Sequence, residues 1–436
     1  MGKRRAGVEP QNQHRGRRAL SDGASGGLPG AAPQARHLSA KKKPTVWAKI
    51  GIALLLVLVL VLGAGAAAYL KLQNNIQSAD LYQPGETQTS APPGDDKSPI
   101  DILVVGTDTR SGADSRYGSD EDSGGEGFAD VMMAVHVSGD RQRVTVVSIP
   151  RDTVAPFPGC VDAAGGDPWP AMDAQMINAA LKMGGPSCLR KTLGDLTGIS
   201  FGHFMVADFN AVVDLSNTVG GVEVCVDRPI DDLKSHLKLP AGSSTIQGED
   251  ALAFLRTRSA FGDSSDLARI TAQQGFLSSL VRKIKSEDIL TNIPKLYSIA
   301  DTVTKNVTLD KSLANIPALL QLASRLKDVD TENVSFITVP NEAYIYDSNR
   351  VQLQEEPAKR LFQAMIADQD ITKTVGTQPS GGSSAPAQPE TTAAEPTAEV
   401  PEETLNAPTE TTPPAVSESL NGQTANQQTC QKTSGF

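Results

Sequence analysis

Arg256 and Arg258 close the apolar run Ala251-Leu-Ala-Phe-Leu255 and are separated only by Thr257. A Gly/Asp/Ser loop follows. Arg269 then opens a stretch with helical apolar spacing that carries Gln273. If the loop returns the chain to the mouth of the apolar run, three guanidiniums share one rim. Each guanidinium is a rigid fork of N–H donors that can bind phosphoryl oxygens in pairs, so the grouping suits a di-anion such as a pyrophosphate. The competing reading pairs these arginines with Asp263 and Asp266 at the surface.

Two further groups carry chemistry. Asp108 stands where the apolar run Ile100–Val105 ends at Gly106, and Asp130 stands where the run Val131–Val137 begins. If these are neighbouring strands, the two carboxylates approach each other. A pair of carboxylates with few other ligands suits Mg²⁺ (or Mn²⁺), which keeps waters and shares its remaining positions with phosphate oxygens. Each Asp taken singly reads equally well as a cap or turn residue. Arg151 follows the run Val144–Ile149 in Ser148-Ile-Pro-Arg151-Asp152-Thr153, at the end of a strand and at the same edge. Asp152 would orient it or cap the turn.

Other chemistries find little support. There is no Gly-x-Ser-x-Gly elbow outside the segments read as disordered, and no Gly/Lys/Ser phosphate loop. His136, His203 and His236 show no nucleophile triad pattern, and His136 alternates within a strand as a structural residue would. No Cys-x-x-Cys spacing suggests zinc. The four cysteines, Cys160, Cys188, Cys225 and Cys430, allow three full pairings. Cys160 with Cys188 is preferred, both lying in loop-like sequence between predicted elements.

The elements that must position these residues are strands and helices in alternation. Strands are expected at Ile100–Val105, Val131–Val137, Val144–Ile149, Phe204–Asp208, Val222–Val226 and Val334–Val339. Gly139-Asp140 turns tightly between the second and third. Helices are expected at Met176–Met183, stopped by Gly184-Gly185-Pro186, then at Ser187–Leu196, Phe209–Val219, Gly248–Leu255, Ile270–Lys285 and Lys311–Leu326. Several strands are apolar on both faces. This predicts an α/β fold, a central mixed β-sheet covered by helices on both faces in an α/β/α sandwich.

The net charge of -10 is unevenly spread. Of 40 basic and 50 acidic residues, residues 1–49 hold 11 and 2, leaving 29 and 48 for the rest. Between the two lies the uncharged run Ile50–Leu70, about the ~20 residues a bilayer core requires. Lys41, Lys42, Lys43 and Lys49 precede it, and positive flanks stay in the cytoplasm. The organisation read from the sequence is a basic disordered cytoplasmic head (1–45), a transmembrane helix (46–70), an extracytoplasmic linker (71–98), a folded body (99–370) and a Pro/Thr/Glu-rich disordered tail (371–436). Outside the membrane, disulfides can form. The head lacks the aromatic or helical organisation of a nucleic-acid-binding module, so no nucleic-acid partner is expected.

Taken together, the stretches resemble the LytR–CpsA–Psr (LCP) family of cell-wall glycopolymer ligases, of actinobacterial type. The matching residues are Asp101–Asp108, Ala129–Val137, Val146–Asp152, Ile177–Ala180, Asp214–Val226, Leu239–Gly242, Gly248–Arg258 and Asp266–Gln274, in family order. The resemblance implies an extracytoplasmic transferase that moves a glycopolymer from a polyprenyl-pyrophosphate carrier to a peptidoglycan hydroxyl, with residual pyrophosphatase activity. It assigns Mg²⁺ to Asp108 and Asp130. It assigns pyrophosphate binding to Arg151, Arg256, Arg258, Arg269 and Gln273. Two positions depart from the family pattern: Phe128 and Ala272 stand where many members have arginine. The two departures imply a weaker pyrophosphate grip, a different donor, or compensation from Arg110 or Arg116, and the acidic loop Ser111–Gly127 would gate the site, bind the metal or be a solvated insertion. Alternatives are glycan transfer to a surface protein, or a non-enzymatic membrane-bound regulator.

Overall fold

The computed structural model describes residues 46–86, 97–108, 127–163, 165–285, 289, 292–372, 375–376 and 420–434. The chain divides into two units, residues 1–61 and 62–436. Helix Val46–Asn75 runs through the division. Its span Lys49–Asn75 is long and apolar enough to cross a membrane, and the side chains from Leu54 to Leu62 are all exposed.

The helix outlasts the apolar run that predicted it. Gln73 Nε2 donates to Ala314 O at 3.2 Å, and Asn75 Nδ2 donates to Asp301 Oδ1 at 3.1 Å. Strand β1 (Gln77–Ala79) then pairs in parallel with Val307–Asp310 at one end of the main sheet. Leu81 and Gln83 are buried, and Gln83 Nε2 donates to Ser187 Oγ at 2.6 Å. Residues 71–86 therefore belong to the body, correcting the reading of 71–98 as a linker. Their anchors are single, widely spaced side chains, which leave no periodic signal.

The centre of the sheet is an antiparallel meander: β2 (Ile100–Thr107), β3 (Ala129–Val137) and β4 (Val144–Ile149), with Ile102 opposite Val135 and Val135 opposite Val146. β2 pairs in parallel with His203–Ala207, and β4 in parallel with Val334–Thr338. Side chains alternate between faces. Leu103, Val105, Met132, Ala134, Val147 and Ile149 pack with Leu181, Leu189 and Leu193 of helix Ala179–Thr197 and with Leu361 and Phe362 of helix Glu355–Ile366. Ile102, Val104, Val135, Val137 and Val146 pack with Leu322 of helix Ile316–Leu326 and with Leu277 and Val281 of helix Asp266–Lys285. Helices thus cover both faces of a mixed sheet, as the interleaved elements predicted.

The two helices expected around Gly184-Gly185-Pro186 form one kinked helix, Ala179–Thr197, non-helical at Gly184 and Gly185. The reason is local. A Cβ at Gly184 would lie 2.8 Å from Cys160 Cβ and 2.6 Å from Cys188 Cβ. The kink gives room to the disulfide Cys160–Cys188, the preferred pairing. Helix Ile293–Asn306, hairpin Asn341–Leu353 and helix Glu355–Ile366 were not among the expected elements.

The end of the chain departs most from expectation. Residues 371–436 read as a disordered tail, yet Leu420–Thr424 is a strand of the main sheet, antiparallel to Val334–Thr338. Cys430 is bonded to Cys225. Leu420 and Gln423 are buried, and Arg282 Nη1 donates to Ala425 O at 2.6 Å and Gln427 O at 2.7 Å. The segment is held by backbone pairing, a disulfide and buried polar groups. Composition averaged over a Pro/Thr/Glu-rich stretch does not register these.

Candidate active site

The strand ends of the meander build one rim. Gly106 pairs with Val131 and Thr107 with Ala129, so Asp130 is the extra residue of a bulge in β3. Bulges re-aim a side chain out of the regular alternation. Asp108 directly follows β2, and its Oδ1 accepts from the Phe128 N–H at 3.0 Å. The two carboxylates therefore stand at the same end of adjacent strands. β4 brings Arg151 to that end. The turn after it is fixed by Thr153, whose hydroxyl donates to Pro150 O at 2.6 Å. Arg151 Nη1 then donates to Asp130 Oδ1.

The arginine loop closes the rim from the other side. Helix Glu249–Arg256 ends at Thr257, which is extended. Thr257 Oγ1 donates to Asp232 Oδ2 at 2.5 Å and so pins the residue between Arg256 and Arg258. Burial pushes the Asp232 carboxyl up, but hydrogen bonds from Thr257, Ser235 and Lys234 outweigh it and hold it at about 2. Ser265 caps the next helix, its Oγ accepting from Ala268 N at 3.2 Å. Asp266 opens that helix, where a negative charge is favoured.

Asp266 is the hub. Its Oδ1 accepts from Arg269 Nη2 and lies 3.4 Å from Arg151 Nε. Arg269 Nη2 also reaches Asp130 O at 3.5 Å. Asp152 lies 3.6 Å from Arg151 Nε through one oxygen and 3.3 Å from Arg350 Nη1 through the other. Burial pushes both members of the Asp266–Arg269 pair toward neutrality, the carboxyl up and the guanidinium down. Arginine nonetheless stays charged. Burial also pulls Arg151 down, but Asp130, with Asp266 and Asp152 behind it, holds it above its usual value. Arg151 Nε, Arg269 Nε and Asp266 Oδ2 are buried atoms without a hydrogen-bond partner. Such atoms are uncommon in a fold, and here three of them sit on one connected ion network.

The predicted residues divide accordingly. Asp130, Arg151 and Arg269 meet at the rim, and Asp108 stands at the same end of the neighbouring strand β2. Arg258 is exposed, and its charge is felt at both Asp266 and Arg269. Arg256 is also exposed, but its guanidinium lies over the Phe209 ring, 4.6 Å from the centroid. Gln273 Nε2 donates to Leu255 O at 3.2 Å, tying the two helices together beside the arginine run. The pairing considered for the arginines with Asp263 and Asp266 holds for Asp266, which pairs with Arg269 in a buried setting rather than at the surface, and no arginine pair to Asp263 is seen among the described residues. Asp263 accepts from Ser265 N, and Asp266 is largely buried in the network. Sequence reasoning missed Asp266 as hub and Arg350 altogether. A carboxylate opening a helix three residues before an arginine was the available signal for Asp266.

The departures have structural counterparts. Phe128 carries the Lys182 ammonium 5.1 Å from its ring centroid. Ala272 is buried in a cluster with Phe254, Phe261 and Phe276, so its position faces the core. Arg110, Arg116 and the loop 111–126 lie outside the described residues. Among the described residues no group of three or more His, Cys, Asp or Glu could hold a metal. The Asp108 and Asp130 carboxylates offer hard oxygen donors only, a set that fits a cation completing its shell with water and substrate.

An apolar helix of membrane-spanning length, an α/β/α body and a charged rim at its strand ends define the class: a membrane-associated α/β protein with its polar site at the ends of the meander. The chain belongs to the LytR_cpsA_psr family, whose profile matches residues 66–367. It is similar to the cell wall biosynthesis protein LcpA of Corynebacterium glutamicum, 33% identical over 261 residues, covering 55% of this chain and 49% of that protein. The chain thus spans about half the length of that relative. It is also similar to the polyisoprenyl-teichoic acid–peptidoglycan teichoic acid transferase TagT of Bacillus subtilis, 29% identical over 328 residues, covering 72% of this chain and 94% of that protein. A crystal structure of protein gbs0355 from Streptococcus agalactiae shares the fold, with a TM-score of 0.50 at 23% identity, covering 62% of this chain and 88% of that one.

Proposed function

We propose that this chain is a membrane-anchored phosphotransferase of cell wall biogenesis. It moves a glycopolymer from a polyprenyl-pyrophosphate carrier to a peptidoglycan hydroxyl. The observation that carries the reading is the cluster of unpartnered buried polar atoms on Arg151, Arg269 and Asp266, beside the exposed Arg258. Two guanidiniums held desolvated and in place are ready-made donors for phosphoryl oxygens. The named activity of TagT supports the same chemistry. The basic residues before Ile50 favour a cytoplasmic N-terminus and an extracytoplasmic body.

The acceptor oxygen attacks the phosphorus bearing the glycopolymer. The bond from that phosphorus to the bridging oxygen breaks, and polyprenyl phosphate leaves with the electron pair. A phosphodiester to peptidoglycan forms, and the hydroxyl proton passes to whichever of Asp108 and Asp130 is not fully engaged by the metal. Arg151, Arg258 and Arg269 neutralise charge on the pyrophosphate and the departing phosphate, with Arg256 and Gln273 completing the set. Asp108 and Asp130 would hold Mg²⁺ or Mn²⁺, which supplies further charge neutralisation on the phosphate oxygens. Water in place of the acceptor gives the residual pyrophosphatase reaction.

The test uses the detergent-solubilised full chain, a glycan-bearing polyprenyl pyrophosphate and isolated peptidoglycan. Covalent transfer and polyprenyl phosphate release are followed with and without EDTA. Transfer is expected to require the divalent ion and to fall by about 10²–10³ in Arg258→Ala, the loss typical of one charge-stabilising donor. A folded protein that transfers nothing and binds no pyrophosphate overturns the reading. An envelope phenotype that then depended on residues 1–45 but not on Arg258 would favour a regulator.

A further inference from the structure

The chain end does more than complete the sheet. Gln431 N donates to Cys225 O at 2.8 Å, and Asp227 N donates to Gln431 O at 3.0 Å. Thr433 donates to Asp227 Oδ1 through its backbone N–H at 2.8 Å and its hydroxyl at 2.7 Å. On its other edge the same segment meets the arginine loop. Gly262 N donates to Lys432 O at 2.9 Å, Ser434 N donates to Ala260 O at 3.0 Å, and Phe261 bridges antiparallel to Thr433. Ser434 Oγ donates to Ser259 O. Residues 430–434 therefore lie as a strap between the end of strand Val222–Val226 and Ser259–Gly262.

Those four residues directly follow Arg258. Beyond them come Asp266 and Arg269. We infer that the strap Cys430–Ser434 is a positioning element of the arginine rim, holding the bent segment Ser259–Gly262, and with it the backbone that carries Arg258, in place beside helix Asp266–Lys285. The inference rests on the proposed pyrophosphate site. It adds that the end of the chain, locked by Cys225–Cys430, sets the geometry of that site. The loop's own side chains also have partners outside the strap. Phe261 packs edge-on against Phe254 with centroids 5.0 Å apart, and both belong to the cluster that contains Phe276. What the strap supplies is partners for the loop's backbone and hence its direction. A loop freed of such partners samples many backbone states, and a guanidinium carried on it binds more weakly.

Two full-chain variants test this. Cys225→Ser/Cys430→Ser releases the lock. Ser434→Pro keeps the disulfide but removes the N–H that bonds Ala260 O. The probe is inorganic pyrophosphate, with binding measured by calorimetry in the presence of Mg²⁺. Each variant is expected to bind about tenfold more weakly, the loss of one well-placed charge contact. The decisive measurement is the coupling with Arg258→Ala. In the parent that substitution weakens binding about tenfold or more. In the strap variants it should add no more than about twofold, because a misdirected Arg258 has nothing left to lose. A purely stabilising strap would leave the Arg258→Ala effect unchanged, and that result overturns the inference. If the parent binds no pyrophosphate, the proposed function fails, and hydrogen exchange at the Gly262 amide then judges the strap. Faster exchange in Ser434→Pro with helix Asp266–Lys285 still protected supports it, and unchanged exchange overturns it.

Discussion

Arg151, delivered by the end of β4, aims its Nε at Asp266 Oδ1 across 3.4 Å, and the same oxygen accepts from Arg269. One carboxylate oxygen thus joins the strand-end chemistry to the arginine loop. Its partner oxygen, Oδ2, is buried without a hydrogen bond. The site is a single network with a single hub.

Asp266→Asn should therefore disturb more than its own contacts. It leaves Arg151 and Arg269 buried with one counter-charge fewer. The expected cost is about 3 kcal/mol, in the range found when one partner of a buried ion pair is removed. Urea unfolding measures it, and a midpoint equal to the parent's would show that Asp266 is not the hub.

Arg282 fastens the chain end through two carbonyls, Ala425 O and Gln427 O. Arg282→Met keeps the apolar stem and removes both charged donors. A loss of about 2–3 kcal/mol is expected. Cleavage on the C-terminal side of Leu420 should become faster in limited proteolysis. Equal cleavage rates would contradict the role.

His136 links the alkaline side of the stability profile to the sheet. Burial pulls its imidazole down, but Asp101, 2.8 Å from Nδ1, and Asp368, 3.3 Å from Nε2, hold it above its usual value. Arg143 also engages Asp368 and competes for that carboxylate. A raised folded value means that the stabilisation is complete below the ordinary value near 6.5 and is lost as pH rises through the folded one. His136→Gln should flatten the decline in melting temperature above neutrality. An unchanged slope would rule the histidine out as its source.

Asp232 acts at the acid end. Its folded value of about 2 lies below the ordinary 3.8, so its contribution is present above 3.8 and is lost as pH falls toward 2. The group is mostly solvated, which moderates the effect. Asp232→Asn should weaken the grip on Thr257 and reduce the acid sensitivity of unfolding between those values. A parent-like acid limb would show that Thr257 is held by other contacts.

Much of this was legible in the chain. The runs around Leu103, Val135 and Val146 are apolar because both faces of the meander are covered, and that pattern alone indicates a sandwiched sheet. The sequence places Arg151, Arg269, Asp108 and Asp130 at strand and helix ends, and the structure has them there. Asp266 was hidden because an acidic residue opening a helix is commonplace. Only its burial against Arg151 gives it meaning. Arg256 and Arg258 looked equivalent on spacing, yet Arg256 lies over Phe209 while Arg258 is exposed.

The sequence by itself determined what depends on local chemistry: the apolar helix, the alternation of the strands, the residue types at their ends and the family to which the motifs belong. The tertiary structure decided what depends on pairs far apart in the chain. It chose Cys225 for Cys430, brought Leu420–Thr424 into the sheet beside Val334–Thr338, and set Asp266 between Arg151 and Arg269. The reason is physical. Backbone pairing and ion pairing are available to almost any polar segment, so composition does not select the partner; the packed sheet, once formed, brings only certain groups within reach.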